Sequence, residues 1–205
     1  MTHYCLTLGG ANYARSDNVG RALYRYASTN GRTRKVVEYS QAMNDAAFDE
    51  GLAALHAAVH DLLARSHTLE ILASSLGAEI TTQFLYDIGG RADAPDPARL
   101  RRVTLIGNAC GKYGGAGIVG GWFESHGFNG KRPPTPSTPY LIDNVARKND
   151  GWANADGWWG GKTGQVSKAR LMTGRVWDHV RYDNVSLATA QLRVSDGNTR
   201  YWVHA

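Results

Sequence analysis

The sequence predicts an α/β fold in which helices cover both faces of a central, mostly parallel sheet. A length of 205 residues suits one domain, and we expect 1–205 to form it. Strand-like and helical segments alternate along the chain, which favours βαβ units and parallel strands. Apolar residues make up 42% of the sequence and charged residues 20%, values that are typical of a globular protein rather than a disordered or fibrous one.

The first half of the chain alternates strands with helices. Residues 3–9 are typical of a strand that ends at Gly9 and Gly10, and Ser16 is suited to cap a helix that runs to Ala27. A second strand is predicted over 34–39. A helix is predicted over 46–65, because its apolar residues recur at spacings of four and three: Phe48, Leu52, Leu55, Val59 and Leu62.

The second half adds three predicted strands and a hairpin. The apolar residues that precede Ser75 form a strand, and a helix follows them to about Gly89. Asp196-Gly197 between two alternating runs is typical of a β-hairpin. The remaining strands span 102–107 and 140–147, and the hairpin strands span 188–194 and 199–204. We therefore expect a central five-stranded sheet with a C-terminal hairpin.

The composition limits the classes of partner. The net charge is +5, from 23 basic and 18 acidic residues, which favours anionic surfaces. The basic residues are scattered, so no nucleic-acid partner is expected; the densest group, Arg99, Arg101 and Arg102, is expected to form a solvated edge. The chain has no apolar run of about 18 residues and no signal-peptide pattern, so we expect no integral membrane association. Cys5 and Cys110 are expected to be free thiols.

Ser75 lies where a predicted strand turns sharply into a helix. The surrounding residues match the G-x-S-x-G pattern of a nucleophile elbow, with Ala73 in place of the first glycine and Gly77 as the second. Small residues at these positions let the strand and the helix pack closely while the serine hydroxyl points out of the sheet. An ordinary serine at a strand-to-helix turn is the alternative interpretation.

A serine hydroxyl needs a base and an orienting acid before it can act as a nucleophile. Where such an elbow carries a triad, the acid follows the serine along the chain and the histidine comes last. Asp150 follows the fifth predicted strand, and Asp156 in the same loop is the alternative acid. His179 follows both and precedes the hairpin, so we expect the catalytic residues to be Ser75, Asp150 and His179.

Three further features concern the site. An oxyanion hole needs backbone N–H donors, for which Leu76 and Ala11 are the candidates. His56 and His60 have a spacing that can bind zinc, but no third ligand is evident, so we expect no metal and no cofactor. A loop rich in Gly, Pro and aromatic residues is predicted at about 108–139, a length that is typical of a lid or binding segment. Aromatic residues of this loop and the next are expected to bind substrate, with core packing as the alternative: Trp122, Phe123 and Trp152.

Several motifs in order resemble the PE-PPE C-terminal domain of mycobacterial proteins, which is related to cutinases and to phage lysin B esterases. The likeness runs along nearly the whole chain. Its motifs are Gly9-Gly10, the elbow at Ser75, Leu105-Ile106-Gly107-Asn108, Asn149-Asp150-Gly151-Trp152-Ala153, His179 with Tyr182, and Gly197 to Val203.

The resemblance implies a cutinase-like α/β-hydrolase fold and a serine esterase that acts on fatty-acyl esters, with the triad on Ser75, Asp150 and His179. The substrate it implies is a lipid or acyl ester, most specifically a mycobacterial envelope lipid such as a mycolate ester. Contact with a virion or cell envelope is expected on the same ground. Because no signal-peptide pattern is present, we expect either a location in the cytoplasm until lysis or a place in a phage particle. The alternative is a non-catalytic or weakly catalytic envelope-binding module, which Ala73 and Ala11 favour.

Overall fold

The computed structural model describes a seven-stranded sheet and, within the described residues, two helices on one of its faces. It describes residues 1–11, 27–28, 31–42, 44–89, 91–113, 134–148, 150, 152–153, 182 and 188–204. The helices are α1 (Asp45–Ala64) and α2 (Leu76–Ile88). The strands are β1 (His3–Leu8), β2 (Arg32–Val36), β3 (Thr68–Ser74), β4 (Leu100–Ile106), β5 (Ile142–Arg147), β6 (Gln191–Asp196) and β7 (Thr199–His204).

The strands lie in the order β2-β1-β3-β4-β5-β7-β6. Every neighbouring pair is parallel except β6 and β7, which form an antiparallel hairpin. The predicted α/β class is confirmed, and the hairpin extends the same sheet because β7 pairs in parallel with β5. The carboxyl ends of β1, β3, β4 and β5 therefore share one edge, where ligand sites of such sheets form.

The core has an apolar layer on each face of the sheet. β3 is buried along its whole length, as expected for a central parallel strand. Ile71 faces α1 and α2 in the larger apolar cluster, whereas Leu72 lies on the opposite face with Cys5. Ala27 and Tyr182 pack against that opposite face. The helix predicted from Ser16 to Ala27 lies, apart from Ala27, outside the described residues.

α1 begins at a residue that can cap it. The Asn44 Oδ1 atom accepts a hydrogen bond from the Ala47 N–H at 2.9 Å, the usual N-cap arrangement. The helix predicted over 46–65 is confirmed, with each bound shifted by one residue. Gly51 on α1 lets α2 approach closely, because a Cβ atom there would lie 2.6 Å from Ile80 Cδ1.

Two expectations from composition can be compared with the structure. Cys5 and Cys110 are both buried free thiols, as predicted. Burial, followed by the charge of Glu70, raises the pKa of Cys5 to about 12, so this thiol is protonated at neutral pH. Across the described ranges, no helix combines the length and the apolar character that a membrane span requires.

The expectation of a solvated arginine edge before β4 is wrong for two of its residues. Arg99 donates to the His67 carbonyl at 3.0 Å. Arg102 donates through Nε to Asp143 Oδ2 at 2.7 Å, and Asp143 is fully buried on β5. Arg200 and Trp202 on β7 donate to Asp143 Oδ1 at 2.7 and 2.6 Å. This carboxylate therefore joins β4, β5 and β7 near their amino-terminal ends.

We predict that Asp143→Ala lowers the free energy of unfolding by about 3 kcal/mol, because it leaves two guanidinium groups and an indole N–H without their acceptor. This loss lies at the low end of the range for breaking a buried ion pair, because the side chains of Arg102 and Arg200 are 24% and 31% exposed. Urea unfolding followed by circular dichroism measures it. Asp93→Ala is the matched control, because Asp93 forms an exposed ion pair with Arg91 and its loss should leave the free energy of unfolding nearly unchanged. Equal free energies of unfolding for both variants would contradict the role of Asp143.

Candidate active site

Ser75 has a strained backbone at the end of β3. Its φ of 51° and ψ of −122° lie outside the regions that L-residues ordinarily adopt. Its N–H donates to the Ile106 carbonyl on β4 at 2.9 Å, which holds the turn against the sheet. Ser75 is partly exposed, whereas its neighbours Ser74 and Leu76 are buried. The turn thus has the geometry of a nucleophile elbow, as the sequence predicted.

Two glycines allow this turn to pack against the end of β1. A Cβ atom on Gly77 would lie 2.7 Å from both the Gly9 and the Leu8 carbonyl oxygens. A Cβ atom on Gly10 would lie 2.9 Å from Ser75 Cβ. The backbone that follows β1 therefore runs directly beside the serine, which is where an oxyanion-binding loop has to be.

The predicted oxyanion donors lie on either side of this contact. Leu76 is the first residue of α2, so its N–H belongs to the helix end whose amides lack intrahelical acceptors and carry partial positive charge. Ala11 follows Gly10 and packs, partly buried, against the main apolar cluster. The Tyr39 hydroxyl donates to the Gly9 carbonyl at 2.5 Å, which anchors the loop from the other side. No pattern in the sequence indicated this role for Tyr39.

Asp150 is fully buried beyond the end of β5. Its Oδ1 atom accepts the Trp152 N–H at 2.8 Å and the Ala153 N–H at 3.3 Å. Its Oδ2 atom accepts the Tyr182 hydroxyl at 2.6 Å. A carboxylate has about four acceptor positions, so a group of this kind can accept an imidazole N–H in addition to three other donors.

Tyr182 connects the segment at Asp150 to the opposite face of the sheet. Its hydroxyl donates to Asp150 and accepts the Arg147 N–H at 2.8 Å, at the last residue of β5. Burial, followed by the charge of Asp150, raises the pKa of Tyr182 well above its usual value, so its hydroxyl keeps its proton. The sequence placed Tyr182 in a motif with His179 but gave it no role.

A second polar network holds the start of the loop after β4. Asn108 is buried and its Nδ2 atom donates to Thr82 Oγ1 on α2 at 3.2 Å and to Asn144 Oδ1 on β5 at 2.9 Å. The same atom donates to Thr135 Oγ1 at 3.2 Å, and Asn108 Oδ1 accepts the Cys110 N–H at 3.0 Å. Asn108 therefore ties together the two ends of the described part of this loop.

The structure brings some of the predicted site residues together and leaves others undescribed. Ser75, Leu76 and Ala11 meet at the end of β1 and β3. Asp150 lies at the same edge beyond β5, and because only β4 intervenes, the two strand ends are about 10 Å apart. Trp152 is partly buried and packs against the main apolar cluster. The other predicted site residues lie outside the described residues: His179, the alternative acid Asp156, Trp122 and Phe123.

The two helical histidines do not contribute to this edge. His56 Nε2 lies 3.1 Å from Asp87 Oδ2, and its ring meets the edge of Phe84. Among the described residues, no group of three His, Cys, Asp or Glu side chains is arranged to hold a metal ion. His56 and His60 instead line the groove between α1 and α2, on the far half of both helices from Ser75.

At least two solved structures have a fold similar to that of this chain. A cutinase-like protein from Cryptococcus sp. superposes with a TM-score of 0.58 at 18% identity, covering 85% of this chain and 91% of that chain. An acetylxylan esterase superposes with a TM-score of 0.54 at 14% identity, covering 89% of this chain and 90% of that chain. The chain therefore shares the fold of these two proteins. No protein-family model matches the sequence, and no curated protein matches it.

We predict that Gly77→Ala lowers the free energy of unfolding by about 1–3 kcal/mol, because the added methyl group meets two backbone oxygens that cannot rotate aside. Gly51→Ala is the matched comparison. The methyl group there meets chiefly the end of the Ile80 side chain, which can rotate, and alanine is the better helix former. Urea unfolding of both variants measures the difference, and a smaller loss for Gly77→Ala than for Gly51→Ala would contradict the close packing at the elbow.

Proposed function

We propose that the protein is a serine esterase that hydrolyses acyl esters of lipids. Ser75 attacks the ester carbonyl, His179 takes the serine proton and later delivers it to the leaving alcohol, and Asp150 orients the imidazole. Water then hydrolyses the acyl-serine by the same route. The observation that carries this proposal is the strained, partly exposed turn at Ser75, since a non-glycine residue keeps such a backbone only where the surrounding structure holds it there.

The surroundings of Ser75 support the assignment electrostatically. A tetrahedral intermediate places negative charge on the former carbonyl oxygen, and N–H donors directed at that oxygen stabilise it. The Leu76 N–H and the positive end of the α2 dipole lie beside the serine, and the Ala11 N–H follows the glycine that contacts it. These groups require no reorganisation during the reaction, because Gly77 and Gly10 pack them in place.

The contacts of Asp150 support its role as the orienting acid. The carboxylate is buried, and its described donors are two backbone amides and a phenol, all neutral, so they leave its negative charge available to an imidazolium. Three peptide units join Tyr182 to His179, a span of at most about 11 Å. A segment that is anchored to Asp150 at Tyr182 is thus close enough to bring a histidine to the acid.

The substrate proposal rests on the apolar surroundings and on resemblance. Trp152 packs beside the site, and Trp122 and Phe123 belong to the long loop after β4; we propose that all three contact the acyl chain. The ordered motifs shared with the PE-PPE domain and the lysin B esterases point to a mycobacterial envelope ester of the mycolate type. On the strength of the same resemblance we propose that the protein contacts a cell envelope or a virion. The fold neighbours support an ester substrate in general, as they are named a cutinase-like protein and an acetylxylan esterase.

Ser75→Ala is expected to reduce hydrolysis of p-nitrophenyl acyl esters at least about 1000-fold, because no other group supplies the nucleophile. The rate of p-nitrophenol release, measured over a series of acyl lengths, tests it. Ser40→Ala is the control, since Ser40 is exposed at the end of the segment after β2 and should leave the rate unchanged. If wild type and Ser75→Ala hydrolyse every ester at the same background rate, the esterase proposal is wrong and an envelope-binding module takes its place.

Asp150→Asn is expected to lower kcat by about 10³ to 10⁴-fold, because an amide cannot hold the imidazole in the required tautomer. Asp156→Asn should change kcat less than threefold. Steady-state kinetics on one p-nitrophenyl ester compares the two, and His179→Ala serves as the reference for a complete loss of the base. A larger loss in Asp156→Asn than in Asp150→Asn would assign the acid to Asp156.

A further inference from the structure

Tyr182 makes two hydrogen bonds through one buried oxygen. The hydroxyl donates to Asp150 Oδ2 at 2.6 Å and accepts the Arg147 N–H at 2.8 Å. The donor and acceptor are thereby both specified, because the backbone N–H can only donate and the hydroxyl proton must point to the carboxylate. The phenol is a fixed link between the last residue of β5 and the acid that follows it.

The carboxylate is held on both oxygens as a result. Backbone amides of Trp152 and Ala153 hold Oδ1, and the phenol holds Oδ2. The two amides come from the residues that follow Asp150 in its own loop, whereas Tyr182 comes from a segment 32 residues away. Without the phenol, the described contacts would fix the carboxylate only to its own loop.

We propose that Tyr182 is a positioning residue of the hydrolase, which sets the orientation and proton affinity of Asp150 and thereby those of the histidine that Asp150 orients. The inference rests on the proposed function of Asp150. Tyr182 is 4% exposed and its hydroxyl donates to Asp150, so it acts through Asp150 and not on the substrate.

The ring and the hydroxyl of Tyr182 have separable roles. The ring packs in the apolar cluster with Leu72, Ile106 and Val145, a contact that phenylalanine preserves. Tyr182→Phe therefore removes both of these hydrogen bonds and keeps the packing of the ring. Tyr140→Phe is the matched control, since Tyr140 is 2% exposed and donates to the Pro95 carbonyl at 2.7 Å, in the loops at the opposite edge of the sheet.

The kinetic expectation is a loss in kcat rather than in KM. Tyr182→Phe should lower kcat about tenfold and change KM less than twofold, because it misorients the acid without touching the substrate site. The acidic limb of the pH profile of kcat/KM should move to higher pH. A carboxylate with one donor fewer binds a proton more tightly, whether on itself or on the imidazole beside it. Tyr140→Phe should lower the melting temperature similarly and leave kcat and the pH profile unchanged.

A double-mutant cycle tests whether the effect passes through Asp150. If it does, Tyr182→Phe has no further effect on kcat in an Asp150→Asn background. If the kcat of the double variant falls by the product of the two single-variant losses, the proposal is wrong. If Tyr182→Phe does not unfold cooperatively, incorporation of 3,5-difluorotyrosine at 182 provides the second test. That residue keeps the hydroxyl but is a stronger donor, so the acidic limb should move to lower pH, and an unchanged limb would count against the proposal.

The outcomes separate this inference from the function on which it rests. Equal rates of ester hydrolysis by wild type and Ser75→Ala show that the esterase proposal has failed, and the positioning role fails with it. A Ser75-dependent rate that Tyr182→Phe leaves unchanged in kcat and pH profile overturns the positioning role alone. If Tyr182→Phe and Tyr140→Phe lower kcat equally, both tyrosines only stabilise the fold and the positioning role is wrong.

Discussion

The contact between the first turn of α2 and the end of β1 is the constraint on which the site depends. Gly77 and Gly10 have no side chains to separate these elements, so backbone atoms meet where side chains usually would. The strain at Ser75, of the order of 1–3 kcal/mol for such a residue, persists because this packing and the hydrogen bond to Ile106 over-determine the turn. The position of the serine hydroxyl is thus a consequence of how strand and helix pack, and it does not depend on a flexible loop.

Buried carboxylates have different kinds of partner at the two ends of the sheet. At the amino-terminal end, Asp143 is matched by two guanidinium groups, and Glu70 by the guanidinium of Arg32, so charge is neutralised where it is buried. At the carboxyl-terminal end, the described donors to Asp150 are neutral dipoles. Such donors stabilise a carboxylate without cancelling its charge, and only an uncancelled charge can stabilise a cation that forms during a reaction. The described donors to Asp143 and to Asp150 therefore differ in charge, which agrees with the different roles proposed for the two carboxylates.

Features that depend on neighbours in sequence were predictable, and features that depend on strand order were not. The sharp strand-to-helix turn at Ser75 and the helix over 46–65 follow from local spacing, and the structure contains both. The strand predicted over 34–39 is Arg32–Val36, because the pairing partner on β1 decides where a strand begins and ends. The bond from Arg200 to Asp143 spans 57 residues and that from Tyr182 to Asp150 spans 32, and no local pattern marks either pair. Arg102 was misassigned for the same reason, since its partner lies on a different strand.

The position of β7 affects the order in which the protein can be completed during synthesis. Residues 199–204 come late in the chain, yet β7 lies inside the sheet between β5 and β6. Two of the three side chains that hold Asp143 are on this strand. Until β7 emerges from the ribosome, β5 has an open edge, and of the described donors to Asp143 only Arg102 is in place, a state that favours association with other chains. The nascent protein therefore needs β7, which follows the six other described strands along the sequence, before the sheet beside Asp150 is closed.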